Sequence, residues 1–238
     1  MRETILGGLR ARITGGTDRE GGGTGPVLVL LHGFGAPGDD LVALWRVLRV
    51  PAGTRFVFPE APLSLGPMYM GGRAWWSIDM DRLQEALARG ETRDLSNEVP
   101  EGLPEARAKL IAMLDAVDKE LSPSRCVLGG FSQGAMLSCD VALHTGRELA
   151  GLVLLSGTLL AAQEWAPLLP RRRGTRVFQS HGQDDVMLPF VIAEQLRDTL
   201  RAAGLDVTWV PFRGGHGIPP EVLEKLGDFL ASVLGSSG

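Results

Sequence analysis

Gly130-Phe131-Ser132-Gln133-Gly134 has the form G-x-S-x-G, which in the right setting places a serine hydroxyl on a sharp strand-to-helix turn. Alone the match is weak: in a chain with 32 glycines, chance gives about 0.2 such pentads. Its surroundings sharpen it. Cys126 to Gly129 reads as a buried strand, and Ala135, Met136, Cys139 and Ala142 have the apolar spacing of a helix. A serine on that turn must adopt a strained backbone. Flanking glycines remove the side chains that would clash, and the first amides of the helix then point at the same spot as the hydroxyl.

A serine hydroxyl becomes a nucleophile only with a base beside it, and the base needs a group to orient it. On this kind of fold the acid and then the histidine follow the serine, each on a loop after a later strand. Of the four histidines, His181 and His216 lie after Ser132 at strand-end positions, whereas His144 falls on the helix that follows the serine. His216, in Arg213-Gly214-Gly215-His216-Gly217, sits just past the last expected strand and just before the last helix, where the base is expected. The acid is expected in His181-Gly182-Gln183-Asp184-Asp185-Val186-Met187-Leu188-Pro189. That loop offers two adjacent carboxylates, and spacing does not choose between them; one of them would also serve as a cap for the helix beginning near Pro189.

The oxyanion of a tetrahedral intermediate needs two backbone N–H donors, one from the residue after the nucleophile and one from the loop after an early strand. Gln133 supplies the first. His32-Gly33-Phe34-Gly35, which follows the apolar run Val27 to Leu31, suits the second, from Phe34. His32 precedes the serine at a strand end and reads as a structural residue of the turn.

These groups need a scaffold, and the hydrophobic pattern describes one. Val27 to Leu31, Arg55 to Phe58, Cys126 to Gly129, Leu152 to Leu155, Arg176 to Ser180 and Val207 to Phe212 read as buried parallel strands. Leu103, Ala106, Leu110, Leu114, Val117 and Leu121 recur at helical spacing, as do Phe190 to Leu200 and Val222 to Val233. Alternating strands and helices imply right-handed crossovers and a mostly parallel sheet covered on both faces. Leu9 to Thr14 is expected as the first of the early antiparallel strands, with Gly15 to Gly25 the loop between them. The whole chain, 1–238, is read as one domain, with 59–100 a lid-like or pocket-wall insertion that carries Trp75 and Trp76, and 235–238 a flexible tail.

Bulk composition excludes several other classes. Net charge is 24 − 28 = −4, with Arg171-Arg172-Arg173 the one basic cluster, so no nucleic-acid partner is expected. Two cysteines, Cys126 and Cys139, in apolar or helical settings read as reduced packing residues rather than a disulfide framework or a zinc site. Neither a signal-peptide core nor an apolar run of membrane-spanning length is present, so a soluble, cytoplasmic protein without membrane insertion is expected. Oligomeric state, monomer or homodimer, is not written in the sequence.

Taken together the motifs resemble the phospholipase/carboxylesterase group of α/β-hydrolases, which includes bacterial carboxylesterases and acyl-protein thioesterases. The resemblance runs from Val27 to about Leu230. It rests on Leu31-His32-Gly33-Phe34-Gly35 with Gly38-Asp39-Asp40, Phe58-Pro59-Glu60-Ala61-Pro62 and Arg73-Ala74-Trp75-Trp76. The pentad, His181-Gly182 with Asp185 and Pro189, and Gly215-His216-Gly217-Ile218-Pro219 complete it.

The resemblance implies the α/β-hydrolase fold, Asp185 as the acid, oxyanion amides at Phe34 and Gln133, and no metal or organic cofactor. The chain departs from the family pattern in having Trp75-Trp76-Ser77 where Trp-Phe-Asp is common, and in a longer segment from Asp81 to Pro100; both bear on substrate identity. The expected activity is hydrolysis of a small-molecule carboxylic ester through Ser132, His216 and Asp185. Trp75 and Trp76 are read as a wall of the substrate pocket, with a plain core role the equal alternative. Thioesters and lysophospholipids are alternatives served by the same residues. A non-catalytic binding module is disfavoured because no member of the Ser-His-Asp set is missing.

Overall fold

The computed structural model describes residues 1–79, 85, 88, 89 and 94–235. Its strands are β1 (Arg2–Leu6), β2 (Leu9–Gly15), β3 (Val27–Leu31), β4 (Arg55–Pro59), β5 (Leu63–Ser64), β6 (Arg73–Ala74), β7 (Cys126–Phe131), β8 (Gly151–Leu155), β9 (Arg176–Gly182) and β10 (Asp206–Phe212). Its helices are α1 (Leu103–Leu121), α2 (Gln133–His144), α3 (Ala162–Trp165), α4 (Phe190–Ala202) and α5 (Pro220–Leu234), with short 3-10 turns between.

Eight strands form one sheet in the order β1-β2-β4-β3-β7-β8-β9-β10. β1 and β2 pair antiparallel, β2 pairs antiparallel with β4, and every pairing from β4 to β10 is parallel. All five residues of β3 and of β8 are buried, as expected of strands covered on both faces. The strand period of two divides them: Val27, Val29 and Leu31 join a core layer with α1, α2 and α4, whereas Leu28 and Leu30 join the layer under α5.

Helix α1 starts with Pro104 in its first turn and buries Leu103, Ala106, Leu110, Met113, Leu114, Val117 and Leu121, one stripe at helical spacing. Each fully buried Leu in such a stripe stabilises by about 1.5–3 kcal/mol relative to an exposed one.

The N-terminal region departs from expectation. The first strand is Arg2–Leu6, an edge strand whose first residues are mostly exposed, so its composition carries no apolar run. It forms a hairpin with β2 through Gly7 and Gly8, both at positive φ. Gly15 to Gly25 leads from β2 to β3, which run antiparallel to each other as expected but flank β4 instead of pairing. Within 59–100, the small antiparallel ribbon of β5 and β6 was not foreseen. The rest of the Asp81–Pro100 stretch up to residue 93 lies largely outside the described residues, as do 236–238 of the expected tail.

Cys126 and Cys139 are free and buried. Burial pushes the Cys126 thiol up to about 12 and raises that of Cys139 further, which suits packing rather than reactivity. Among the described residues no helix is long and apolar enough to cross a membrane. Nor does any cluster of three or more His, Cys, Asp or Glu there suit a metal ion.

Candidate active site

The turn from β7 to α2 holds Ser132 at φ 54° and ψ −117°, outside the regions an L-residue ordinarily occupies. Such a conformation costs on the order of 1–3 kcal/mol and persists only where its surroundings impose it. Here the Ser132 N–H donates to Leu155 O at 2.8 Å, while Ser132 O accepts from Ala135 N at 3.0 Å. Both flanking glycines are needed for packing: a Cβ on Gly130 would sit 2.6 Å from Leu31 O, and one on Gly134 would sit 2.3 Å from the same atom.

Ser132 opens into a cavity of about 180 Å³ shared with Gly33, Phe34, Gln133 and His216. The loop after β3 lies directly against the serine, since a Cβ on Gly33 would stand 3.3 Å from Ser132 Cβ. The Phe34 N–H has no acceptor among the described residues. That of Gln133 belongs to the first residue of α2, where amides lack intrahelical acceptors. Two donors are therefore available beside one hydroxyl.

His216 and Asp185 meet from separate loops. His216 Nδ1 donates to Asp185 Oδ2 at 2.6 Å, which fixes the tautomer and leaves Nε2 as the free lone pair of the ring. Phe131 packs against the imidazole with ring centroids 4.8 Å apart. Asp185 Oδ1 accepts from the Met187 and Leu188 amides at 2.9 and 3.0 Å. Burial alone would raise this carboxyl. Hydrogen bonds from His181 and His216, the positive charge available on His216 and the Leu188 amide outweigh burial and hold it well below the usual carboxylate range.

Asp184 behaves differently: its Oδ2 accepts from Gly214 N at 3.2 Å in an exposed bond that ties the two loops together. The choice between adjacent carboxylates that spacing left open is thus made by direction, with one turned in to the imidazole and one turned out to backbone.

His181 is fully buried and is no part of the cavity lining; it packs behind Asp185. His32 is a turn residue. Its Nδ1 donates to Gly33 O at 2.8 Å and its Nε2 accepts from Ala61 N at 3.1 Å, and burial lowers its basicity, so it is held neutral.

The expectation for Trp75 and Trp76 is corrected. They are 1% and 3% exposed, belong to the main core and do not line the cavity. Trp75 Nε1 donates to His32 O at 2.9 Å, and the backbone of the pair is clasped by the Gln133 side chain: Gln133 Oε1 accepts from Trp75 N and its Nε2 donates to Trp76 O, both at 2.9 Å. An indole that can satisfy its N–H inside the core has no need of a pocket. The same segment still contributes to the cavity, but through Ile78 and Leu95, joined by Phe131, Met136, Met187 and Leu188.

Ile78, Leu95 and the second function of Gln133 were not foreseen, because nothing in their local spacing marks them. Trp75→Ala and Trp76→Ala are each expected to cost about 3–5 kcal/mol of stability. The ranking of ester chain lengths should stay unchanged, and thermal melts beside a chain-length series check both. A changed ranking at unchanged stability would restore the pocket-wall role.

A mostly parallel sheet with helices on both faces, a serine on a positive-φ elbow and a later acid–histidine pair together define an α/β-hydrolase. The chain belongs to the phospholipase/carboxylesterase family, whose model matches residues 20–234. It is 29% identical over 222 residues to acyl-protein thioesterase 1 of Gibberella zeae, covering 87% of this chain and 90% of that one. It is 34% identical over 221 residues to a probable carboxylesterase of Oryza sativa subsp. japonica, covering 90% of each. Among solved structures, esterase PE8 superposes with a TM-score of 0.78 at 27% identity, covering 95% of this chain and 99% of that one.

Proposed function

We propose that this chain is a serine carboxylesterase working through an acyl-enzyme, with Ser132 as nucleophile, His216 as base and Asp185 as its orienter. The observation that supports it best is the 2.6 Å His216–Asp185 bond, formed where His216 and Ser132 line one small apolar cavity with Phe34 and Gln133.

His216 Nε2 takes the proton of Ser132 Oγ as the oxygen adds to the ester carbonyl. The Phe34 and Gln133 amides hold the developing oxyanion, where preorganised donors act most strongly. The protonated imidazole, steadied by Asp185, then gives its proton to the leaving alkoxide. In the second half the same ring activates water, which releases the acid and restores the serine.

The cavity argues for a modest acyl group. Its roughly 180 Å³ falls below the roughly 300–1,000 Å³ of sites that enclose drug-sized ligands, and its walls are largely apolar. With p-nitrophenyl esters, butanoyl and hexanoyl groups are expected to give higher kcat/KM than dodecanoyl and hexadecanoyl. A profile that rises steadily to hexadecanoyl would contradict this reading of the cavity.

A thioester substrate is the second reading, favoured by the several fungal relatives named acyl-protein thioesterase 1. The same two steps apply with a thiolate leaving group. An acyl thioester and an oxyester of equal chain length, with a lysophospholipid beside them, separate the readings by kcat/KM.

A further inference from the structure

Asp185 has two histidine neighbours, and the mechanism above uses one. The other is His181, at the end of β9, fully buried, with its ring 6.3 Å from that of Phe190. Its Nε2 stands 2.8 Å from Leu188 O and 3.3 Å from Asp185 Oδ2, the same oxygen that accepts from His216. A carbonyl can only accept, so Nε2 carries the proton and shares it between these two oxygens. Nδ1 is then a lone pair with no donor among the described residues. A buried nitrogen left without a partner is uncommon and calls for a role that fixes the ring in place.

We propose that His181 is a positioning residue for the acid, acting on His216 through Asp185 Oδ2; this rests on the assignment of Asp185 as orienter. Its N–H draws negative charge from the oxygen that faces the imidazole, and its bond to Leu188 O pins the loop whose amides hold Oδ1. Without it, Oδ2 carries more charge and stabilises protonated His216 better. The free enzyme then loses its base at a higher pH. Among the described residues, Asp184 and Arg213 lie on the two loops and Asp40 on the cavity lining, and all three are retained in the variants below.

The test compares His181→Leu, which removes the donor, with His181→Gln, whose side-chain amide reaches roughly the Nε2 position. For His181→Leu the acid limb of the kcat/KM profile is expected to move up by about half to one pH unit. The downfield proton resonance of the His216–Asp185 bond should shift as well. His181→Gln should return both toward wild type. Limb position and resonance do not depend on how much protein folds, so a lowered melting temperature does not confuse them. An unmoved limb and resonance in His181→Leu, with Asp185→Asn still crippled, would overturn this inference alone. An active Asp185→Asn would overturn the assignment of Asp185 itself.

Discussion

Ser132→Ala is expected to remove nearly all ester hydrolysis while leaving a cooperatively folded protein. In a serine protease, loss of the nucleophile costs about a million-fold in turnover, and what survives comes from the oxyanion donors and binding alone. In the proposed mechanism those donors remain, because the Phe34 and Gln133 amides belong to the backbone. Alanine, unlike glycine, keeps a Cβ at φ 54°, so the elbow strain is unchanged and the melting temperature should move little. Retention of more than about a tenth of the activity would end the assignment, since no route through water alone is that fast.

The second large effect separates neighbours. Asp185→Asn keeps the volume but replaces the charged acceptor of the His216 Nδ1–H by an amide, which also permits the wrong imidazole tautomer. The comparable change in a serine protease costs about 10⁴ in turnover, and a loss of several orders of magnitude is expected. Asp184→Asn should cost far less, since among the described residues the Asp184 carboxylate accepts from the Gly214 amide and not from the imidazole. A crippled Asp184→Asn beside a nearly normal Asp185→Asn would reverse the assignment.

The two variants also differ in acid stability. The folded protein holds the Asp185 carboxyl below its unfolded range, so the native state binds fewer protons there. The stability this gives is present above roughly pH 4 and is lost as pH falls through the acid range. Asp185→Asn removes that dependence, and urea melts at pH 3 and pH 6 read it.

How far the sequence reached follows from which forces each feature depends on. Strands such as Val27–Leu31 and helices such as Leu103–Leu121 were legible because burial on both faces, or along one stripe, is written directly into residue order. β1 was not, because Arg2, Glu3 and Thr4 lie at an edge and solvent makes no apolar demand of them. Ser132 and His216 stood out through turn chemistry and chain order.

The two aspartates could be separated from the residues alone only by knowing which way each side chain turns, a property of the folded loop. Trp75 and Trp76 misled because large aromatics serve cores and pockets equally. What decides is a clasp by Gln133 that lies 57 or 58 residues away in sequence. His181 sits four residues before Asp185, yet its contact with Oδ2 depends on a loop folded back over the end of β9.

The central claim, that Ser132 is acylated during turnover, is tested most directly by trapping it. The protein would be treated with an active-site-directed fluorophosphonate, and its intact mass and the modified peptide determined. One adduct per chain on Ser132, formed as esterase activity disappears and absent from Ser132→Ala, is the predicted result. An adduct on another residue, or full inhibition with Ser132 unmodified, would contradict it.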